Sequence, residues 1–174
     1  MSRVSRGYHF EHEISKSLEY IRDNIEGFSN LYYCKFPDTR GYVIKPEKEG
    51  KYLPRAPSDF VVVHNNRVFF LEAKSSRNPV SYAFEYIKEH QWNSGERITK
   101  AGGNYVFLLC NRAKRNHHKI YGVVSTRMDE IEANCCYLGR KSVKWLELEQ
   151  DSEVLKIVRD KDTRLWVGLR DVFA

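Results

Sequence analysis

The stretch DFVVVHNNRVFFLEAKSS, residues 59–76, reads as two short strands around an Asn-Asn pair. Valine and phenylalanine dominate both halves, and these residue types suit a pleated, half-buried surface. Asparagine tolerates positive φ, so Asn65-Asn66 suits a two-residue hairpin turn. In such a hairpin the numbers of facing residues sum to 131. His64 then faces Arg67, Val62 faces Phe69, and Asp59 faces Glu72. Facing side chains share one side of the sheet, with Cβ atoms about 4.5–5.5 Å apart. Lys74, two residues past Glu72, joins that side, whereas Leu71 and Ala73 point to the other.

Two facing carboxylates repel, so the hairpin needs a compensating positive charge. Lys74 supplies one. A Mg²⁺ ion supplies more, because it is typically held by one or two carboxylates together with water and substrate phosphate. A cation of this kind acts as a Lewis acid, and a lysine beside it positions an attacking water. These are the components of phosphodiester hydrolysis. The plainer reading is a solvated ion-pair cluster at the end of an ordinary hairpin, since Asp-x12-Glu-x-Lys is a permissive pattern.

Working outward, residues 8–26 carry Phe10, Ile14, Leu18, Ile21 and Ile25 at helical spacing, with Gly27 as a stop. Glu11 borders this apolar stripe, whereas Glu13 is expected to point away and be solvated. Residues 30–36 suit a strand. Residues 37–57 are rich in proline and charge and read as a basic loop or arm placed before the hairpin. Residues 81–101 read as one helix with the stripe Phe84, Ile87, Gln91 and Ile98, ending at Gly102-Gly103. Gln91 within that stripe requires partners for its amide. Strands are expected at 104–111 and 119–124 and a short helix at 126–133. Residues 142–150 fit either a strand or a short helix, and a hairpin is expected around 159–163.

Taken together, the residues resemble a family. Pro57-Ser58-Asp59 and Glu72-Ala73-Lys74 look like the PD-(D/E)-x-K nuclease signature. RGYHFEHEI, with Arg6-Gly7 ahead of Glu11, is similar to the first-helix motif of cellular Holliday-junction resolvases. LEAK followed by FEYIKEHQ, and then GRKSV at 139–143, resemble the RecU resolvases, and the likeness runs from about residue 5 to 150. It departs at Ser58, where the general signature has proline, and in an arm that looks shorter and more charged.

The resemblance implies an α/β fold with a restriction-endonuclease-like core, a mixed central sheet flanked by helices on both faces. It implies a homodimer that resolves four-way DNA junctions with Mg²⁺, with Mn²⁺ as a substitute, leaving 5′-phosphate and 3′-hydroxyl ends. Glu11, Asp59, Glu72 and Lys74 inherit catalytic roles and Gln91 a supporting one. Asp59, Glu72 and the Ala73 carbonyl would hold the metal. Other endonucleases of this superfamily, restriction-like or nicking, share such a site. A non-catalytic DNA-binding module is a further alternative.

The whole chain fits this class. Its 174 residues suit a single nuclease domain over 1–174, and a net charge of +6 is consistent with a polyanionic partner. Cations gather in three loops: Arg40, Lys45 and Arg55; Arg112, Lys114 and Arg115; Arg140 and Lys141. With Arg6 and Arg77 near the scissile phosphate, these are the candidate DNA-binding residues. Tyr42 and Tyr52 could stack on bases. Cys34, Cys110, Cys135 and Cys136 lack metal-site spacing and read as reduced thiols, with Cys34 and Cys110 buried. His117-His118 has no further ligand at suitable spacing. No signal peptide or membrane span is expected, so the location implied is cytoplasmic or nucleoid-associated, in a cell or a virus-infected cell.

Overall fold

The computed structural model describes residues 6–37, 56–114 and 118–174, with the side chains of 6–8 excluded. Helix α1 (Arg6–Asn24) precedes strand β1 (Tyr32–Lys35), and the hairpin β2 (Phe60–His64) and β3 (Arg67–Ser76) follows. A short strand β4 (Ser81–Ala83) and a 3₁₀ turn (Phe84–Tyr86) lead into α2 (Glu89–Lys100). Then come β5 (Asn104–Asn111), β6 (Lys119–Val124), α3 (Ser125–Tyr137), β7 (Ser142–Lys144), α4 (Trp145–Gln150) and β8 (Leu155–Ile157). A 3₁₀ helix at Val167–Val172 closes the chain.

Six strands form one sheet in the order β1-β2-β3-β5-β6-β8, and β4 pairs with β7 in a small second sheet. Among the described residues only β3 and β5 run parallel. A parallel pair needs a crossover, and α2 supplies it. On one face of the sheet, α1 and the last 3₁₀ helix pack Phe10, Ile14, Leu18 and Ile21 against Phe60, Leu71 and Leu108. On the other face, Met128 and Ile131 of α3, Trp145 and Leu148 of α4, and Tyr82 cover Phe107, Leu109 and Tyr121. Helices therefore flank a mixed central sheet on both sides, as expected.

The hairpin keeps the expected register, from His64↔Arg67 to Phe60↔Leu71. Asn65 and Asn66 adopt φ of 47° and 60°, the left-handed conformation this turn requires. At Asp59 the register breaks. Its N–H reaches the Leu71 carbonyl at 3.1 Å, so Asp59 and Phe60 share one opposite residue, an offset of bulge type. Asp59 is thus not directly opposite Glu72.

Three expectations change. Residues 81–101 are not one helix. Asn78 Oδ1 accepts the Val80 and Ser81 N–H groups, and residues 81–83 then pair with β7, which lies some sixty residues onward. Ile87 and Lys88 stay extended, and α2 starts only at Glu89. Residues 142–150 hold both a strand and a helix, with Glu147 capping the Lys144 N–H. Around 159–163 the chain does reverse, with the Asp160 N–H on the Leu165 carbonyl at 2.8 Å and the Gly168 N–H on the Val158 carbonyl at 3.1 Å, but no strand ladder forms: Asp160 Oδ1 accepts the Asp162 and Thr163 N–H groups, and the chain continues into 3₁₀ helix. All four cysteines are free, and Cys110 is buried, but Cys34 on edge strand β1 is exposed.

Candidate active site

The site sits where β2 stops and β3 continues. Because β2 begins at Phe60, the Ala73 N–H has no strand partner on that side. The Asp59 carboxylate takes the place of one, with Oδ2 accepting the Ala73 N–H at 2.8 Å. The bulge-like offset aims Asp59 there, and the Phe36 N–H donates to the Asp59 carbonyl at 2.9 Å, which holds the backbone.

Glu72 is 1% exposed, the most deeply buried carboxylate of the cluster. Burying a charge requires pairing, and Glu72 has it. Its Oε1 lies 2.7 Å from Lys74 Nζ and accepts from Gln91 Nε2 at 2.5 Å. The Tyr105 hydroxyl lies 3.3 Å from Glu72 Oε2 and 3.1 Å from the Pro57 carbonyl, so one proton serves these two acceptors. Gln91 has a second task, since its Oε1 accepts the Lys88 N–H at 2.9 Å. One amide therefore caps α2 and ties that helix to Glu72. This accounts for the polar residue in the expected stripe.

The two carboxylates are close enough to disturb each other. Burial pushes the Asp59 carboxyl up to about 7, and the neighbouring charges of Glu72 and Glu11 add to the rise. The Ala73 N–H and Lys74 oppose it. Asp59 therefore holds its proton more tightly than an ordinary carboxyl, and a cation beside it would oppose that rise. Tyr105 is raised well above the ordinary phenol range by burial and by Glu72, so it stays a hydrogen-bond donor.

The structure brings Asp59, Glu72, Lys74 and Gln91 into one cluster. Glu11 approaches from α1, half-buried and paired with Lys35 at 2.8 Å. Among the described residues no group of three or more His, Cys, Asp or Glu side chains is disposed to hold a metal ion. The donor set expected here is different, namely two carboxylates and one backbone carbonyl. The Ala73 carbonyl fits, because a strand residue presents its N–H and C=O to the same flank, and the Ala73 N–H is turned to Asp59.

The expected DNA-binding residues fall into three groups. Arg77, Lys114 and Lys141 are exposed. Arg112 and Arg140 are engaged by acids: Arg112 meets Glu13 at 2.6 Å, and Arg140 meets both oxygens of Glu147 at 2.7 and 2.9 Å. Arg40, Lys45, Arg55 and Arg115, with Tyr42, Tyr52 and His117, lie outside the described residues, as does the Arg6 side chain. Trp92, Trp145 and Trp166 pack, as expected.

Two residues escaped the sequence reading. Tyr105 looks like core filler within NYVFLLC, and only the parallel register, which places it beside Phe70, brings its hydroxyl to Glu72. Glu13 is not solvated. It accepts from Arg112 and, at 3.2 Å, from Trp166 Nε1, so it links α1 to β5 and the C-terminal segment. Its position three residues after Phe10 was the available signal.

The family model for Recombination protein U matches residues 5–164. No curated protein matches the chain. Among solved structures, the chain is similar to Hjc, a Holliday junction resolvase from the archaeal hyperthermophile Archaeoglobus fulgidus. That likeness has a TM-score of 0.38 at 11% identity, over 66% of this chain and 74% of that one.

Proposed function

The chain belongs to the Recombination protein U family, and from that premise we propose that it is a divalent-metal-dependent endonuclease that cuts four-way DNA junctions. The observation that carries the chemistry is the Asp59–Glu72–Lys74 cluster, in which burial and the neighbouring Glu72 charge raise the Asp59 carboxyl well above the ordinary carboxylate range. Two carboxylates buried this close carry a cost that a bound cation would offset.

Mg²⁺, with Mn²⁺ as a substitute, would be held by Asp59, Glu72 and the Ala73 carbonyl. When bound, it polarises the scissile phosphate and offsets the charge that builds there. The chain's own groups do the rest. Glu72 is fixed by Gln91 and Tyr105, so its free lone pairs keep one direction. Lys74, its side chain 19% exposed, orients the attacking water and stabilises the developing negative charge. Glu11 lies beside Asp59 and assists in positioning. The water oxygen bonds to phosphorus as the bond to the 3′ oxygen breaks; the water gives up one proton to solvent, and the leaving oxygen takes one up. The products are a 5′-phosphate and a 3′-hydroxyl.

In the same reading, residues 1–174 are one nuclease domain, and two copies pair so that their sites face opposed strands; the loop or arm expected at 37–57 lies almost wholly outside the described residues. The test is competition of a labelled four-way junction against duplex of the same sequence, in Mg²⁺. Junction binding at least tenfold tighter supports the proposal. Equal affinity refutes junction selectivity and leaves a general DNA endonuclease.

A further inference from the structure

A row of paired residues crosses the sheet from the candidate site to the far edge: Lys74–Leu109–Tyr121–Lys156. Three strand spacings separate the two lysines, about 14 Å. Past this row, at one end of the sheet, two grooves open side by side. The first is lined by His9, Ser75, Arg77 and Arg112 and adjoins Lys74. The second, of about 530 Å³, lies against β6, β8 and the turn at 158–166, with Trp166 in its wall. His118 lines both, and its buried Nδ1 has no hydrogen-bond partner among the described residues.

The second groove is markedly cationic. Lys119, Lys156, Arg159, Lys161 and Arg164 line it, against the two carboxylates Glu149 and Asp160. Both carboxylates have partners of their own. Glu149 accepts from Lys119 at 3.0 Å and from the Tyr121 hydroxyl at 2.7 Å. Asp160 is turned into its own loop, where Thr163 donates to it through both N–H and hydroxyl. Lys156, Lys161 and Arg164 are exposed on the rim, and the Lys156 ammonium donates to the Asp151 carbonyl, a neutral partner that leaves its charge unneutralised. Lys156 stands on β8, and the turn that carries Lys161 and Arg164 is tied together by Arg159. The Arg159 guanidinium stacks 5.2 Å over the Trp166 ring and donates to the Arg164 carbonyl at 2.6 Å.

Arg164 itself has φ of 59°. That left-handed conformation destabilises any L residue of its size, and glycine would adopt it without strain. The fold carries a cation at the rim of a cationic groove in the one turn position where a cation is conformationally unfavourable.

We propose that this groove is a phosphate-backbone track that grips the DNA arm leaving the candidate active site, with Lys156, Lys161 and Arg164 as its contacts. The inference rests on the DNA-cleaving reading above. The two lysines stand about 14 Å apart, a span of about four base-pair steps, so the track would meet the arm within one half-turn of the cut. The contacts are to phosphates, so they add affinity without reading sequence.

The test compares the unmodified chain with a Lys156→Ala/Lys161→Ala/Arg164→Gly chain, measuring junction Kd across a salt series. Each lost phosphate contact removes about 0.9 from the slope of log K against log salt, so the slope should shrink by about 2 to 3. Affinity at low salt should fall at least tenfold, and a Lys156→Arg/Lys161→Arg chain should keep both slope and affinity. If the triple variant melts below the unmodified chain, Lys161→Ala alone, at an exposed turn position, should shrink the slope by about 1. Unchanged slopes overturn the track while the cleavage proposal stands. A loss of affinity with no change of slope also overturns it, because it would not come from phosphate contacts. Failure of the unmodified chain to bind DNA at all overturns both.

Discussion

Asp59→Asn should stabilise the metal-free protein at pH 8 while abolishing cleavage. The Asp59 carboxyl is raised from 3.8 to about 7, mainly by burial. A folded state that holds a proton more tightly than the unfolded chain binds more protons between those two values. Stability therefore falls as pH rises through that window, and the loss is complete above about pH 7. A rise of about 3 units at about 1.4 kcal/mol each sets a ceiling of about 4 kcal/mol. Coupling to Glu72 shares part of this, so about 2 to 4 kcal/mol is expected. Asparagine carries no charge but keeps a carbonyl oxygen where Asp59 Oδ2 accepts the Ala73 N–H at 2.8 Å, so the local geometry survives. Urea unfolding in chelator at pH 4.5 and pH 8 measures it. The variant's advantage should be small at pH 4.5, about 1 kcal/mol, and clearly larger at pH 8. Equal stability at pH 8 would mean that Asp59 is not held against its charge, and the case for a cation at this position would fail.

Other perturbations follow from the same contacts. Lys74→Ala removes the ammonium 2.7 Å from Glu72, and turnover should drop by about 10² to 10⁴-fold with metal affinity retained, as read by single-turnover cleavage beside metal titration calorimetry. Glu13→Ala strands Arg112 and Trp166 Nε1 and should cost about 2 to 3 kcal/mol in urea unfolding. At Gly95 an added Cβ would meet Ser125 Oγ at 2.4 Å and Tyr105 Cδ1 at 3.3 Å. Gly95→Ala should therefore destabilise by about 1 to 3 kcal/mol. It should also slow cleavage, because α2 carries Gln91 and Tyr105 holds Glu72.

What could be read from the sequence was local in origin. The hairpin register follows from two asparagines and alternating apolar residues, so Glu72, Lys74 and the nearby Asp59 were legible together. The stripe of α1 was legible for the same reason. The break at Asp59 was not, because a bulge is set by the partner strand's carbonyl rather than by local pattern. Residues 81–88 look helical in isolation, and β7 overrides that preference with a pairing no short window contains. Tyr105 and Glu13 were missed because their partners, Glu72, Arg112 and Trp166, lie 33 to 153 residues away. A hydroxyl inside an apolar run reads as bulk until the sheet order shows what it faces.

The central claim is hydrolysis of a junction at the Asp59–Glu72–Lys74 cluster, and one measurement addresses it most directly. A labelled four-way junction is incubated in Mg²⁺ with the unmodified chain or with Glu72→Gln, and the product ends are typed. The unmodified chain should give paired nicks near the crossover with 5′-phosphate ends, and chelator should abolish them. Glu72→Gln should bind the junction and leave it intact. Full cleavage by Glu72→Gln, or cleavage unaffected by chelator, would contradict the account.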